Sequence, residues 1–592
     1  MQYPFDSALI MRKQRSIKRS LLEKGPFIEK KIAILGGSTT ADVKNVLELF
    51  LLKNGIKPFF YESEYNRYYE DGMFENAELK SFNPDFIFIH TSTVNIINYP
   101  DINDTDATVE QKLESEFSKY KGLWEQLKAT YNCTILQNNF ELPHYRILGN
   151  LDSSDLRGYS NFIMNLNSRF AEYARKTKGF YINDIHYLSA QIGLSNWYDR
   201  SFWHAYKYAL SYEAIPVLAH NLANIIKAIL GKSKKCLVLD LDNTLWGGVI
   251  GDDGLSSIQI GKETPVAEAY TEFQEYVLKL KKRGILLAVC SKNDLTNAKD
   301  GFSHPDSVLS VNDFVSFKAN WEPKHINISQ IASDINIGID SLVFIDDNPV
   351  ERKIVIDNLP YVLVPEINVN EVYSYMNTLD KDGCFEPISI SQDDLIRNQA
   401  YQENSQRNSF KDHFISYDDF LSSLDMNAEI KEFIPIYLER ITQLTNKSNQ
   451  FNLTTKRYTL SEIEAVANNP NYITLYGRLA DKFGDNGVVS VVIGEVKGNI
   501  IHINAWLMSC RVLKRGMEQA MFDEIVRQAQ KQGITIIKGY YYKTAKNSMV
   551  AELYKVLGFE LIHTSGEDTV WEYPIDSNYV NQNKFIVVNK NY

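Results

Sequence analysis

The sequence predicts a multidomain α/β protein, and three observations carry that prediction. Lys31-Ile-Ala-Ile-Leu-Gly-Gly-Ser-Thr-Thr40 is an apolar run, a tight glycine turn and the start of a helix reaching to about Lys53. Apolar runs then alternate with helical stretches to about residue 230, the pattern of a doubly wound, largely parallel sheet. A second series opens at Cys236-Leu-Val-Leu-Asp-Leu-Asp-Asn-Thr-Leu-Trp-Gly-Gly-Val-Ile250, where Leu237 to Leu239 read as a buried parallel strand. After residue 386 the runs Tyr472–Leu479, Gly487–Ile493 and Ile500–Leu507 follow one another closely and read as antiparallel strands. Three domains are expected, 1–230, 231–385 and 386–592.

Length and composition fit that division. A chain of 592 residues is too long for one core, and 44% hydrophobic residues make it globular. A formal net charge of −11 argues against a general nucleic-acid binder. With no run of 18 apolar residues, no membrane span is expected. Residues 1–22 carry Arg12, Lys13, Arg15, Lys18 and Arg19 among apolar residues, without a signal-peptide core. They read as a basic amphipathic helix docked on the first domain. Five scattered cysteines (133, 236, 290, 384, 510) without metal-site spacing fit free thiols in a reducing cytoplasm.

In the first domain, Pro58–Tyr61, Asp85–His90 and Cys133–Leu136 read as further strands, and 161–178 and 208–230 as helices. Gly36-Gly37-Ser38 resembles the first block of SGNH-type hydrolases, in which the serine is the nucleophile, and the resemblance implies a flavodoxin-like sheet. Asp184, His186, Asp199 and His204 do not keep the spacing of that family's Asp-x-x-His block. A serine in such a turn is equally an N-cap or an anion-binding turn, so a degenerate, carrier- or partner-binding domain stands beside the hydrolase reading.

Gly231–Lys235 reads as a polar, basic linker. In the second domain, Thr264–Arg283 has helical periodicity, Ile285–Cys290 and Ser341–Ile345 read as strands, and Pro323-Lys324 opens a helix to about Asn336. Pro360–Pro365 is expected to add a closing strand. Asp240 and Asp242 lie two residues apart at a strand end, so their charges repel unless something cationic intervenes. A divalent metal resolves that, and ligands bind at such strand ends.

Asp240-x-Asp242-x-Thr244, Ser291, Lys324 and Asp346-Asp347, in that order, resemble the haloacid dehalogenase (HAD) superfamily. The resemblance implies a Rossmann-like domain without a large cap, since one loop and one helix separate Thr244 from Ser291. Asp240 would be the nucleophile forming an aspartyl-phosphate and Asp242 the acid and base. Thr244, Ser291, Asn293 and Lys324 would bind phosphoryl oxygens. Mg²⁺ would be held by Asp240, the Asp242 carbonyl and Asp346, with Asp347 in support.

Asn547–Glu560 resembles the C-terminal helix and strand of the GNAT acyltransferase fold, with Tyr554 in the place of a general acid. Arg511 to Gly516 takes the place of a pyrophosphate-binding turn, although Lys514 and Met517 stand where small residues are expected. Over nearly its whole length the chain resembles FkbH-like proteins. Asp240–Gly254, Asn446-Lys-Ser-Asn-Gln-Phe-Asn-Leu-Thr-Thr-Lys-Arg-Tyr458, which contains Asn449, and Ser509-Cys-Arg-Val-Leu513 carry that match. It implies glyceryl transfer from 1,3-bisphosphoglycerate to the phosphopantetheine thiol of an acyl carrier protein acting in trans, with loss of phosphate. Cys510, beside Arg511 and a helix start, is the candidate thiol, with a small buried core residue as the alternative. His502 is a candidate base, with a core histidine as the alternative. The competing functions are a stand-alone HAD phosphatase acting on a sugar phosphate or phosphoprotein, and an acetyl-CoA N-acyltransferase fused to a HAD domain.

Overall fold

Strand β1 (Ile28–Gly36) runs parallel between β2 (Ile56–Glu62) and β3 (Phe86–His90), and the sheet continues through β4 (Thr134–Asn138) to β5 (Phe180–Asn183). The order 2-1-3-4-5 reverses at β1, so Gly36-Gly37-Ser38 emerges at the topological switch point where open α/β sheets bind ligands. The computed structural model describes residues 1–589 apart from Ile396, Asp412, Asn449 and Ala545. The candidate Asn449 therefore lies outside the described residues. The chain forms two units, 1–229 with 459–461, and 230–458 with 462–592.

In the first unit, the helix Ser7–Leu22 starts where Asp6 accepts a hydrogen bond from the Leu9 amide. It buries Ile10, Met11 and Leu21 and packs on the helix Ala41–Lys53, with Lys18 paired to Glu48, as its amphipathic pattern predicts. The long helix Asp106–Tyr131 has no counterpart in the sequence reading. Its buried Val109, Leu113, Tyr120, Leu123, Trp124 and Leu127 recur at helical spacing, but among many charged residues.

In the second unit, β6 (Cys236–Leu239), β7 (Leu286–Ser291), β8 (Ser316–Ala319) and β9 (Leu342–Ile345) form a parallel sheet in the order 8-7-6-9. Short and half-buried, β8 gives too weak an apolar run to be found in the sequence. The expected strand at Pro360–Pro365 reduces to one bridge, Leu363 with Val343, because proline at each end lacks the amide a ladder needs. Nor is Gly231–Lys235 a solvated linker. Lys234 and Lys235 donate their amides to the carbonyls of Cys384 and Ser341, and Leu286 donates to Lys235. Gly231, at φ 67°, lies so close to Asn446 that a Cβ would come within 2.5 Å of its backbone.

The remaining strands are β10 (Met426–Lys431), β11 (Tyr472–Asp481), β12 (Gly484–Lys497), β13 (Ile500–Met508), β14 (Ile536–Tyr541), β15 (Glu560–Ser565), β16 (Asp568–Pro574) and β17 (Ile586–Val588). They form one mixed sheet in the order 15-16-14-13-12-11-10-17, with the helix Met517–Lys531 burying Met517, Met521, Phe522 and Ile525 in the shared core. The helix expected after Asn547 is split into two short helical pieces, the 3-10 turn Ser548–Val550 and the α-helix Leu553–Val556. Strands β13 and β14 pair only through Ile500–His502 and Ile536–Lys538, and residues 451–454 fill the gap beyond. Leu453 donates to Trp506 O, Met508 donates to Phe451 O, and Tyr542 donates to Leu453 O. No helix among the described residues is long and apolar enough to cross a membrane.

Candidate active site

The strand ends of the four-stranded sheet gather the acidic residues. Asp240 follows β6 and donates its amide to Ile345 O, which ties it to β9, whose end carries Asp346 and Asp347. Ligand oxygens of Asp240, Asp346 and Asp347 lie within 4.8 Å of one another. Lys324, buried at the start of the helix Lys324–Asp334, places Nζ 3.0 Å from Asp240 Oδ1 and donates to Asp346 Oδ2. Burial works against its charge, but Asp240 and Asp346 hold the Lys324 pKa above its ordinary value. Burial, then the charge of Asp240, pushes Asp346 and Asp347 upward. One lysine among three carboxylates leaves negative charge unbalanced. Asp240 Oδ1 is buried and, apart from its 3.0 Å ion pair with Lys324, has no hydrogen-bond donor among the described residues. Hard oxygen donors with that charge fit Mg²⁺.

The Asp242 carboxylate stands apart from this cluster. It accepts hydrogen bonds from Trp246 Nε1 (2.9 Å), the Ile250 amide (3.1 Å) and Asn293 Nδ2 (3.0 Å). Burial, partly offset by these bonds, raises its pKa. Such a carboxyl suits proton transfer more than metal ligation. Thr244 Oγ1 accepts from the Asp347 amide at 3.2 Å, and Ser291 is buried at the end of β7. Thr244 thus orients the acidic loop, and Asn293 the Asp242 carboxylate. Two further residues escaped the sequence reading. Arg352 Nη1 donates to the carbonyls of Asp346 (2.7 Å) and Asp347 (2.8 Å), and Lys292 pairs with Glu351 at 2.7 Å. For Arg352 the signal was its place one helical turn after Asn348-Pro349, where the helix Pro349–Asn358 begins.

Cys510 lies elsewhere. It lines a cavity of about 90 Å³ with Lys235, Tyr401, Arg440, Phe451 and Arg511. Tyr401 is close enough for its hydroxyl to interact with the thiol, and Asn336 Nδ2 donates to Cys510 O at 2.6 Å. Of the five cysteines it alone is not buried. Lys235 precedes β6 and Asp240 follows it, so about 16 Å of extended chain separates the two sites along the strand.

The other acyl-site candidates do not join Cys510. His502, in the first half of β13, lies eight residues from it. It is half-exposed and bonded to the Tyr540 hydroxyl, so it is no core histidine. Tyr554 is fully buried, its ring so close over Gly539 that a Cβ there would approach to 2.4 Å. At the turn before the helix Met517–Lys531, Lys514 donates its amide to the buried Glu518 carboxylate, so the chain supplies its own anion.

In the first unit, Ser38 is buried and its hydroxyl has no hydrogen-bond partner. Its neighbour Thr39 bonds through its amide to Lys207 O and through Oγ1 to Tyr206 O. Asp184 and Asp199 cap helices, and His186 faces Phe140 O. Among the described residues no histidine or carboxylate hydrogen-bonds to Ser38, so none stands to it as a base.

The family model described as the FkbH N-terminal domain matches residues 31–227. Among solved structures, the N-terminal part of the protein BF1531 from Bacteroides fragilis, which contains a phosphatase domain and is complexed with Mg, is 33% identical at a TM-score of 0.59. The match covers 64% of this chain and 99% of that one. The ribosomal-protein-S18-alanine N-acetyltransferase from Escherichia coli (13% identity, TM-score 0.20) is matched over 26% of this chain and 99% of its own. PaiA N-acetyltransferase from Thermoplasma acidophilum, in complex with coenzyme A (17%, TM-score 0.20), is matched over 25% and 99%. No curated protein matches the chain.

Proposed function

This chain belongs to the FkbH-like family, and from that premise we propose that it transfers a glyceryl group from 1,3-bisphosphoglycerate to the phosphopantetheine thiol of an acyl carrier protein supplied in trans, with dephosphorylation at the acidic cluster. The similarity makes the chain phosphatase-related. What carries the reading is the convergence of Asp240, Asp346 and Asp347 on Lys324, with the Asp242 carboxyl held beside them. Its division of labour assigns residues 1–230 to a partner-binding domain, 231–385 to the phosphatase and 386–592 to acyl transfer.

Asp240 attacks phosphorus, and the leaving oxygen departs with the P–O electron pair, taking a proton from Asp242. Water then attacks the aspartyl-phosphate and gives its proton to Asp242, which frees phosphate and restores Asp240. Ser291 and Lys324 face the phosphoryl oxygens, with Thr244 and Asn293, which hold the acidic loop and the Asp242 carboxyl, beside them. Held by Asp240, Asp346, Asp347 and the Asp242 carbonyl, Mg²⁺ would stabilise charge on the transferring phosphoryl group. At the second site the Cys510 thiolate attacks the acyl-phosphate carbon. The C–O bond breaks, phosphate leaves with the electron pair, and the thioester passes to the carrier thiol. Arg511 and Lys235 line the cavity around the thiol.

The deciding experiment is intact-mass spectrometry of a cognate carrier protein incubated with the enzyme, Mg²⁺ and 1,3-bisphosphoglycerate. A glyceryl adduct that disappears with Cys510→Ala supports the reading, and its absence with every cognate carrier removes it. The distance between the two sites favours one alternative, a stand-alone phosphatase. Undiminished phosphatase turnover in Cys510→Ala, with no adduct on any carrier, would select that reading.

A further inference from the structure

The outer face of β12, β13 and β14 carries a second constellation. Along β13 and β14 the sheet alternation buries Ile501, Ile503 and Tyr541 and turns His502, Asn504, Tyr540 and Tyr542 outward. Together with Thr455, Lys456, Glu495 and Lys497 these line an open groove of about 570 Å³, large enough for a small ligand. A solvated sheet face is ordinarily polar, and polarity alone would mean nothing. This face is also aromatic and ordered. The His502 and Tyr540 rings lie 14° from coplanar at 6.0 Å, with Tyr542 a further 6.4 Å along, and His502 Nδ1 is 2.6 Å from the Tyr540 hydroxyl.

The wall is built under strain. Thr455, β-branched, stands at φ 57°, a left-handed conformation such residues rarely adopt, and its amide bonds to Asn452 Oδ1 at 2.9 Å. Thr454 Oγ1 donates to Asn504 O at 2.7 Å, which fixes the same segment to β13. Glu495 takes Lys497 Nζ at 3.1 Å and Asn504 Nδ2 at 3.2 Å, so that pair is charge-balanced, and Lys456 adds one further cation at the rim. Burial and the neighbouring Lys497 and Lys538 lower the His502 pKa, which keeps the ring neutral, while Glu495 opposes them.

We propose that this groove binds a carbohydrate, a pyranose ring stacking on Tyr540 and Tyr542 while its hydroxyls bond to His502, Asn504, Thr455 and Glu495. An aromatic floor with neutral and charge-compensated hydrogen-bonding walls matches a ligand with apolar ring faces and a hydroxyl rim. A lipid would call for an apolar lining, and of the two lysines at the rim Lys497 is already taken by Glu495. The groove is separate from Cys510, which lies eight residues after His502 and beyond the end of β13, and it does not depend on the transfer reading above.

The test is saturation-transfer difference NMR on the full-length protein with D-glucose, D-galactose, N-acetyl-D-glucosamine and D-glucuronate, with glycerol as the non-ring control. At least one pyranose is expected to show ring-proton saturation, falling at least about threefold in Tyr542→Ala and in His502→Ala. Tyr542 is 43% exposed, so its truncation leaves the fold intact. Circular dichroism checks both variants. No saturation from any pyranose, saturation matched by glycerol, or a signal unchanged in folded Tyr542→Ala would each overturn the proposal.

Discussion

Asn293 Nδ2 holds Asp242 Oδ2 at 3.0 Å, so the carboxyl placed for proton transfer is fixed by a residue two positions past the end of β7. A freely rotating Asp242 could turn into the metal cluster. Trp246 Nε1 and the Ile250 amide occupy its other oxygen, so Asn293 completes the restraint. Replacing Asn293 by Ala should lower kcat for phosphate-ester hydrolysis by about 10- to 100-fold, less than the 10²- to 10⁴-fold expected for Asp242→Asn. Equal kcat in wild type and Asn293→Ala would show that the hydrogen bond is incidental.

Three carboxylates around one lysine make a site whose activity should follow divalent metal. Chelation is expected to abolish phosphatase turnover, and added Mg²⁺ to restore it. Arg352, bound to the carbonyls of Asp346 and Asp347, orients the loop that supplies two ligands. Outer contacts of this kind are typically worth about 10- to 100-fold in metal affinity. Arg352→Ala should therefore raise the Mg²⁺ concentration for half-maximal rate by about that factor, with maximal rate less affected. An unchanged Mg²⁺ titration would contradict this role.

Exposure separates Cys510 from the other thiols. Cys133, Cys236, Cys290 and Cys384 are buried, and burial pushes the Cys133 thiol up to about 12. Native protein should take up one equivalent of iodoacetamide, on the peptide containing Cys510, and none in Cys510→Ser. Labelling spread over several cysteines would argue against the cavity as the thiol's environment.

What the sequence made legible follows the strength of the local signal. Asp240, Asp242, Ser291, Lys324, Asp346 and Asp347 each sit at a strand or helix end announced by an apolar run, a proline or a glycine, so their convergence could be read from order alone. Arg352 and Asn293 act through contacts whose direction only the fold supplies. His502 lies within the run Ile500–Leu507 and Cys510 just past its end, and the length of the strand holds them apart. The insertion of residues 451–454 between β13 and β14 was hidden, since hydrogen bonds to two strands leave no periodicity in a four-residue segment. Gly231–Lys235 looked solvated because lysines usually are, whereas here their backbone carries the pairing.

The first unit offers a test by pH. Glu141 is buried and accepts from the Thr93 amide and hydroxyl, and burial raises its pKa from 4.5 to about 7. Between those values the folded state holds a proton that the unfolded state has lost. Its contribution to stability is therefore fully present below pH 4.5 and is lost as pH rises through 7. His90, also buried, acts with the opposite slope: its pKa is lowered to about 4, so stability falls as pH drops from 6.5 towards 4. Glu141→Gln removes the first effect and leaves the second, while its amide oxygen can still accept from Thr93. The variant should unfold at a higher temperature than wild type at pH 8 and at nearly the same temperature at pH 5. The gain at pH 8 is at most on the order of 3 kcal/mol, the equivalent of the shift between the two values. Thermal unfolding followed by circular dichroism across pH 5 to 8 measures it. Parallel curves for the two proteins would mean that Glu141 ionises in the fold as readily as in the unfolded chain.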